Sequence, residues 1–330
     1  MKTIPLLEPL AAELDRVELK MRGPEHPDYP QLTEVLKHLL NSGGKRLRPA
    51  LALVAGRVYQ ADPEKLISLA ASVEMLHTAT LVHDDLIDGA LMRRGNPTLN
   101  ASWSPGATVL TGDYLFARSA ALAAETDNVQ VIRIFAATLM TICSGELRQI
   151  FDRHSFPRLD SDLAWEKVLD RYDQRIHAKT ASLFAAATES AAVLGSAPNA
   201  ELEALRDFGR LLGMGFQIID DVLDFQGDEE VLGKPVGSDL RDGIITLPAL
   251  YFLRAHPDDN RIATVVRDGG DDRLVREVAA AICESTAIAQ AWERARAFIA
   301  QSQAALRALP EGEPRSMLYA LAEYTASRNK

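Results

Sequence analysis

Apolar residues recur at three- and four-residue intervals along nearly the whole chain, as in Met75-Leu-His-Thr-Ala-Thr-Leu-Val82 and Met214-Gly-Phe-Gln-Ile-Ile219. That period matches one face of an α-helix. Ala and Leu abound and alternating β-branched runs are nearly absent, so the pattern predicts an all-α protein. Breaker clusters fall at 22–30, 94–97, 104–106, 154–157, 196–199, 233–237, 255–259 and 309–314, which divides the chain into roughly ten to a dozen helices. No cluster is long enough for an interdomain linker and no short-period repeat occurs. The expectation is therefore one domain over residues 1–330, a single large helical bundle around a central cavity.

Composition changes this picture little. At 330 residues with 47% hydrophobic and 25% charged side chains, the chain has ample core, although its length would also suit two domains. A net charge of −10 argues against nucleic acid as the main partner. Cys143 and Cys283 sit in apolar helical patterns, so they read as buried small hydrophobes in a reducing cytoplasm, not as a disulfide framework. The first residues lack a signal-peptide core, and no uninterrupted run of 18 apolar residues occurs. A cytoplasmic protein without a transmembrane segment is expected.

Candidate chemistry comes from an acidic spacing that occurs twice. Asp84-Asp85-Leu-Ile-Asp88 recurs as Asp220-Asp221-Val-Leu-Asp224, 136 positions later. Residues four apart share a helical face, so Asp84 and Asp88 project together with Asp85 beside them, and Asp220 and Asp224 with Asp221. Carboxylates so crowded repel unless cations intervene, and hard divalent ions with oxygen ligands are the usual solution. One copy would suit an exposed acidic face equally well, but two copies in apolar surroundings favour metal. The two acidic helices are expected to face each other across the cavity. Cations cluster where a diphosphate would need them: Gly43-Gly44-Lys45-Arg46-Leu47-Arg48-Pro49 follows a flexible glycine pair, and Arg93-Arg94 closes the turn after the first motif. Lys179, Thr180, Gln217, Lys234 and His77, each taken alone, read more readily as snorkelling, capping, solvated or core residues than as ligands.

Taken together these motifs resemble the trans-isoprenyl diphosphate synthases of the polyprenyl synthetase family. The ordered pieces are GGKRLRP at 43–49, ExxH and HDDLID within 74–88, RRGxPT at 93–98, Gly112-Asp113, Gly145-Glu146, KTASLF at 179–184, FQIIDDVLD at 216–224 and GKPVGSDL at 233–240. The resemblance implies an all-α isoprenoid synthase fold and the family activity: magnesium-dependent condensation of isopentenyl diphosphate with an allylic diphosphate by ionisation, condensation and elimination. It implies three magnesium ions per active site, with Asp84, Asp88 and Asp220 as ligands and Asp85, Asp221 and Asp224 ligating or orienting bound water. Arg93, Lys179, Thr180, Gln217 and Lys234 resemble the allylic diphosphate site, and Gly44, Lys45, Arg48, His77 and Arg94 the isopentenyl diphosphate site. Asp84, Asp88, Lys179, Asp220 and Lys234 would carry the catalysis. A homodimer is implied by the family alone.

Product length should depend on residues preceding the first motif. Short-chain members resemble a pocket floored by an aromatic four or five positions before Asp84, where this chain has Thr80 and Ala79. Met75 and Leu76 follow further down, also not aromatic. The expected tunnel is open for about 11 Å, two helical turns, which suits products longer than farnesyl diphosphate. Two departures from the family are Ile244 where a Lys is common and a seemingly longer stretch at 152–173; both bear on substrate affinity. The alternatives are a short-chain geranylgeranyl or farnesyl diphosphate synthase and a non-catalytic subunit of a heteromeric synthase. A terpene cyclase lacks the second acidic motif in this form, and a di-iron bundle would need a second Glu-x-x-His beside Glu74–His77.

Overall fold

The computed structural model describes residues 5–23, 30–41, 43–93, 95–157, 159–226, 236–268 and 270–327. These residues form sixteen α-helical segments and one two-stranded hairpin, so the all-α expectation holds. The segments outnumber the ten to a dozen expected because short helices such as Leu99–Ser102 and Ser238–Arg241 nucleate beside breakers that pattern alone reads as loop. The elements used below are α1 (Ala11–Arg22), α2 (Pro30–Asn41), α3 (Leu47–Val58), α4 (Pro63–Ile87), α5 (Leu99–Ser102), α6 (Pro105–Ala124), α7 (Val129–Asp152), α8 (Asp162–Ile176), α9 (Ser182–Leu194) and α10 (Asn199–Gln226). A π-helical turn, His177–Ala181, joins α8 to α9.

The chain divides into two compact units, one comprising Met1–Thr138, Leu183–Gly209 and Ala305–Leu321, the other Leu139–Ser182, Arg210–Ala304 and Ala322–Lys330. The first is built around α4, in which every residue from Leu66 to Leu76 is buried. Helices α1, α3 and α6 pack on it, and a helix so enclosed must be apolar all round. Gly56 lets α3 approach: a Cβ there would meet the Leu66 side chain at 2.2 Å. The start of α4 is fixed by Asp62, whose carboxylate accepts from the Glu64 backbone N–H at 2.9 Å, with Pro63 in the first turn. Ser104 followed by Pro105 starts α6 in the same way.

In the second unit α8 leads into the π-helical turn, Ser238–Arg241 packs on Arg261–Asp268, and Asp272–Glu284 packs on both Arg261–Asp268 and Leu247–Ala255. Ser161 and Asp271 cap α8 and the Asp272–Glu284 helix through the N–H groups of Ala164 and Leu274.

Two helices are long and apolar enough to match a bilayer, α4 and α7. For α4 this reflects its central place, with 72% of its most apolar window buried; for α7 only 22% is buried. The expectation of two buried cysteines fails at Cys143, which is exposed on α7, while Cys283 is half-buried. Helical period alone shows that a cysteine shares a stripe with apolar residues, not whether that stripe is covered.

Candidate active site

The first acidic motif occupies the last turn of α4. Asp84 is half-buried, Asp88 is exposed at the C-cap, and Asp85 turns inward. A short hairpin then folds back, with Met92 paired to Pro97 and Arg93 to Asn96, and Thr98 Oγ1 donates to the Ala90 carbonyl at 2.7 Å. Gly95, at φ +78°, permits the tight turn. The hairpin returns Arg93 to the motif, where its Nε donates to Asp85 Oδ1 at 2.7 Å. Burial raises the Asp85 pKa, the Arg93 charge opposes that rise, and Asp88 adds to it. His83, just before the motif, packs on the Phe116 ring and lies 3.5 Å from Asp113. Gly112 makes this possible, since a Cβ there would meet His83 Nε2 at 2.3 Å.

The segment 43–49 does not present its cations alike. Lys45 is exposed and Arg48 stacks its guanidinium 4.7 Å from the Phe184 ring centroid. Arg46 points inward: its guanidinium bonds Glu74 at 2.7 Å, Glu18 at 3.1 Å and the Leu40 carbonyl at 3.1 Å. Its backbone is left-handed, φ +49°, a conformation a non-glycine residue keeps only when its surroundings fix it. Glu74 is thereby accounted for as the partner of Arg46, and His77, one turn on, is half-buried. Gly43, at φ +76°, and Gly44 lead into this turn.

The second motif lies in the last turns of α10. Asp220 is half-buried, whereas Asp221 and Asp224 are buried. Asp221 accepts from Tyr172 Oη at 2.7 Å and from Gln217 Nε2 at 2.9 Å, and Gln217 Oε1 accepts from Thr180 Oγ1 at 2.6 Å. Burial, reinforced by Asp239, pushes the Asp221 pKa up to about 7 against the pull of the Gln217 and Tyr172 hydrogen bonds. Asp224 accepts from Ser238 Oγ at 2.7 Å and from the Asp239 N–H at 3.3 Å. Lys179 and Thr180 lie in the π-helical turn, a local widening that occurs often at functional sites. Lys179 Nζ pairs with Glu146 at 2.9 Å, and Gly145 beside it permits the approach, since its Cβ would meet Ala178 Cβ at 2.5 Å.

Arg94 and Lys234, assigned from sequence to the two diphosphate sites, lie outside the described residues. Among the described residues no three His, Cys, Asp or Glu side chains converge as a ready-made metal cage. The donor chemistry nevertheless fits magnesium, which is usually held by one or two carboxylates together with substrate phosphates and water. Asp84 and Asp88, at the end of α4 in the first unit, are carboxylates of that kind, as is Asp220 in the second unit. Asp85, Asp221 and Asp224 accept hydrogen bonds from Arg93, from Tyr172 and Gln217, and from Ser238. Tyr172, Ser238 and Arg46 were missed from sequence. Arg46 and Ser238 lie within the motifs at 43–49 and 233–240, whereas Tyr172 lies outside every motif, seven residues before Lys179.

A narrow cavity lies within the first unit, with room for about one water molecule. It is lined by Leu69, Ser72, Val73 and Leu76 of α4, together with residues of α6, α7 and α9. On α4 these positions continue in steps of four through Thr80 to Asp84. Leu76 lines this cavity, and Thr80, one turn on, shares its face of α4. Met75 and Ala79, also assigned to product length, are fully buried and do not line the cavity, because each is one residue out of register with that face.

Comparison with known proteins agrees with this arrangement. The polyprenyl synthetase family profile matches residues 29–282. Heptaprenyl diphosphate synthase component 2 of Geobacillus stearothermophilus is 40% identical over 323 residues, covering 97% of each chain. Among solved structures, a decaprenyl diphosphate synthase from Rhodobacter capsulatus aligns with TM-score 0.88 at 35% identity, covering 98% of both chains. A polyprenyl synthase from Caulobacter crescentus, complexed with calcium and isoprenyl diphosphate, aligns with TM-score 0.87 at 36% identity over 98% of this chain and 97% of that one. The chain belongs to the polyprenyl synthetase family and is a prenyltransferase of the trans-isoprenyl diphosphate synthase type.

Proposed function

We propose that this prenyltransferase is an all-trans polyprenyl diphosphate synthase that condenses isopentenyl diphosphate with an allylic diphosphate to products longer than fifteen carbons. The observation that carries this reading is the likeness to long-chain synthases, among them the decaprenyl diphosphate synthase from Rhodobacter capsulatus at 35% identity and TM-score 0.88. Leu76 and Leu69 lie eight and fifteen residues before Asp84, about 12 and 22 Å along the helix. Neither is aromatic, and both line the small apolar cavity of the first unit.

Asp84, Asp88 and Asp220 would hold magnesium, which when bound neutralises the diphosphate that departs from the allylic carbon. Arg93 and Lys179 add charge to the same diphosphate, with Lys234 completing the set. Thr180 spends its hydroxyl proton on Gln217, so its lone pairs are what remain to face a developing positive charge. Lys45, Arg48, His77 and Arg94 hold isopentenyl diphosphate, whose double bond attacks the allylic cation. The proton then lost needs no strong side-chain base, since the released diphosphate can accept it. Apolar walls exclude water that would otherwise capture the cation.

The exposed apolar stripe of α7, which includes Met140, Leu147 and Phe151, supports a homodimer. A second reading, a subunit that needs a different partner chain, draws on the component 2 name of the Geobacillus relative. Unpaired cysteines support a cytoplasmic setting. The proposal is tested by measuring consumption of isopentenyl diphosphate by the purified chain with and without chelator, beside Asp84→Ala. Chelation should abolish turnover and Asp84→Ala should lower it by several orders of magnitude with helicity retained; full activity in chelator would refute the mechanism.

A further inference from the structure

Residue 244, where the family commonly carries Lys, is Ile in this chain, so the loop that follows the second acidic motif lacks a cation at that position. The loop itself is tied to the motif. Asp224 accepts from Ser238 Oγ at 2.7 Å and from the Asp239 N–H at 3.3 Å, and the Asp239 carbonyl accepts from the Ile244 N–H at 2.9 Å. The next carbonyl, that of Ile245, accepts from Arg175 Nη2 of α8 at 2.7 Å. The Arg175 guanidinium also lies 5.4 Å from the centroid of the Tyr172 ring, whose hydroxyl donates to Asp221. Contacts that start at Asp221 and at Asp224 thus close on one guanidinium, which stands beside the second motif and next to the position that lacks Lys. Other cations of the same unit are neutralised: Lys179 pairs with Glu146 at 2.9 Å, Arg294 with Asp173 at 2.6 Å, Arg254 with Asp162 at 3.1 Å and Arg241 with Asp272. Among the described residues Arg175 forms no ion pair; its partners are a carbonyl and an aromatic face, both neutral. Being half-buried, it has lost part of its hydration without a carboxylate in exchange. One hydrogen bond uses only part of the guanidinium's donor set, so charge and N–H groups are both left for an anion.

We propose that Arg175 supplies the positive charge that Ile244 does not, and that it binds the diphosphate of the allylic primer from α8. The inference rests on the prenyl-condensation reading above. Lys179, given there to the same diphosphate, follows Arg175 by four residues, about one helical turn, so the two cations come from one stretch of chain. The Ile245 carbonyl and the Tyr172 ring fix the guanidinium, which therefore loses less side-chain freedom on binding than a lysine reaching from the loop would.

Arg175→Gln keeps an N–H for the Ile245 carbonyl and removes the charge. Ile244→Lys puts a cation at the neighbouring position. Both single variants and the double variant are compared with the parent, as purified full-length chains with magnesium, for kcat and for the KM of each diphosphate. Arg175→Gln should raise KM for the allylic primer about tenfold, the worth of one charge-assisted hydrogen bond, with KM for isopentenyl diphosphate within about twofold of the parent. In that background Ile244→Lys should lower primer KM about fivefold, whereas in the parent, where the charge is already present, it should lower it less than about twofold. A lysine at 244 cannot mend an arginine that serves packing only. A folded Arg175→Gln that the second substitution fails to improve therefore overturns the proposal, as does a folded Arg175→Gln with the parent's primer KM. Should Arg175→Gln not fold, Ile244→Lys in the parent decides: a fall in primer KM of more than about twofold shows that the charge was missing and overturns the assignment, and a smaller change supports it. A parent chain that consumes no isopentenyl diphosphate overturns the prenyl reading itself, and the role of Arg175 with it.

Discussion

At the scale of single residues, the six aspartates share a spacing but not an environment. Asp84 and Asp220 are half-buried and Asp88 exposed, whereas Asp85 is tied to Arg93, Asp221 to Tyr172 and Gln217, and Asp224 to Ser238. The spacing in the sequence singles out all six, because helical geometry puts residues four apart, such as Asp84 and Asp88, on one face. Which of them turn inward depends on partners distant in sequence, such as Tyr172, 49 positions before Asp221. The same holds for Arg46: the sequence shows three cations within four residues, and only tertiary packing singles out the one enclosed by Glu18 and Glu74. Tyr172 offers a test of the inward set. Tyr172→Phe removes one of two side-chain donors to a buried carboxylate, a change that typically costs about 1–3 kcal/mol of stability. Because Gln217 and Thr180 hang on the same carboxylate, turnover should fall about 10–100-fold with KM for isopentenyl diphosphate little changed. Steady-state kinetics on the folded variant checks this, and parent kinetics would show that the network is structural only.

At the scale of elements, two glycine–acid pairs gain a physical meaning that sequence could not supply. Gly112 admits His83 and sets Asp113 near it, and Gly145 admits Ala178 and lets Glu146 reach Lys179. Each glycine is small because another helix passes there, and a close approach between helices leaves no local pattern. Register along α4 was likewise only half legible. Helical period identifies the helix, but the choice between Ala79 and Thr80 as the residue beneath the motif requires knowing which face is lined. With Leu76 and Thr80 on the cavity face, Thr80→Tyr should place a ring about one turn below Asp84 and hold products near fifteen carbons. Ala79→Tyr, forced into packed core, should chiefly destabilise, by about 1–3 kcal/mol. Chromatographic sizing of the products beside thermal melts of both variants separates the two effects; identical product profiles for Thr80→Tyr and the parent would show that chain growth follows another face.

At the scale of the whole molecule, the helical class followed directly from pattern, while the division into two compact units did not, since its boundaries fall inside helices such as α7 and α10 and leave no linker composition. Exposure was equally hidden. Met140, Leu147 and Phe151 are 65%, 54% and 79% exposed on one stripe of α7, a surface that a homodimer would cover. Met140→Glu combined with Leu147→Glu should convert a dimer to monomer in light scattering, by placing unpaired charge in that contact; an unchanged mass would place the partner elsewhere. The central claim is that this chain alone elongates an allylic diphosphate past fifteen carbons, and the most direct measurement is to incubate it, purified, with magnesium, isopentenyl diphosphate and farnesyl diphosphate and to size the products. Products extended by one or more isoprene units beyond the primer are predicted; farnesyl diphosphate recovered unextended, under conditions where a geranyl primer is converted to farnesyl product, would contradict the account.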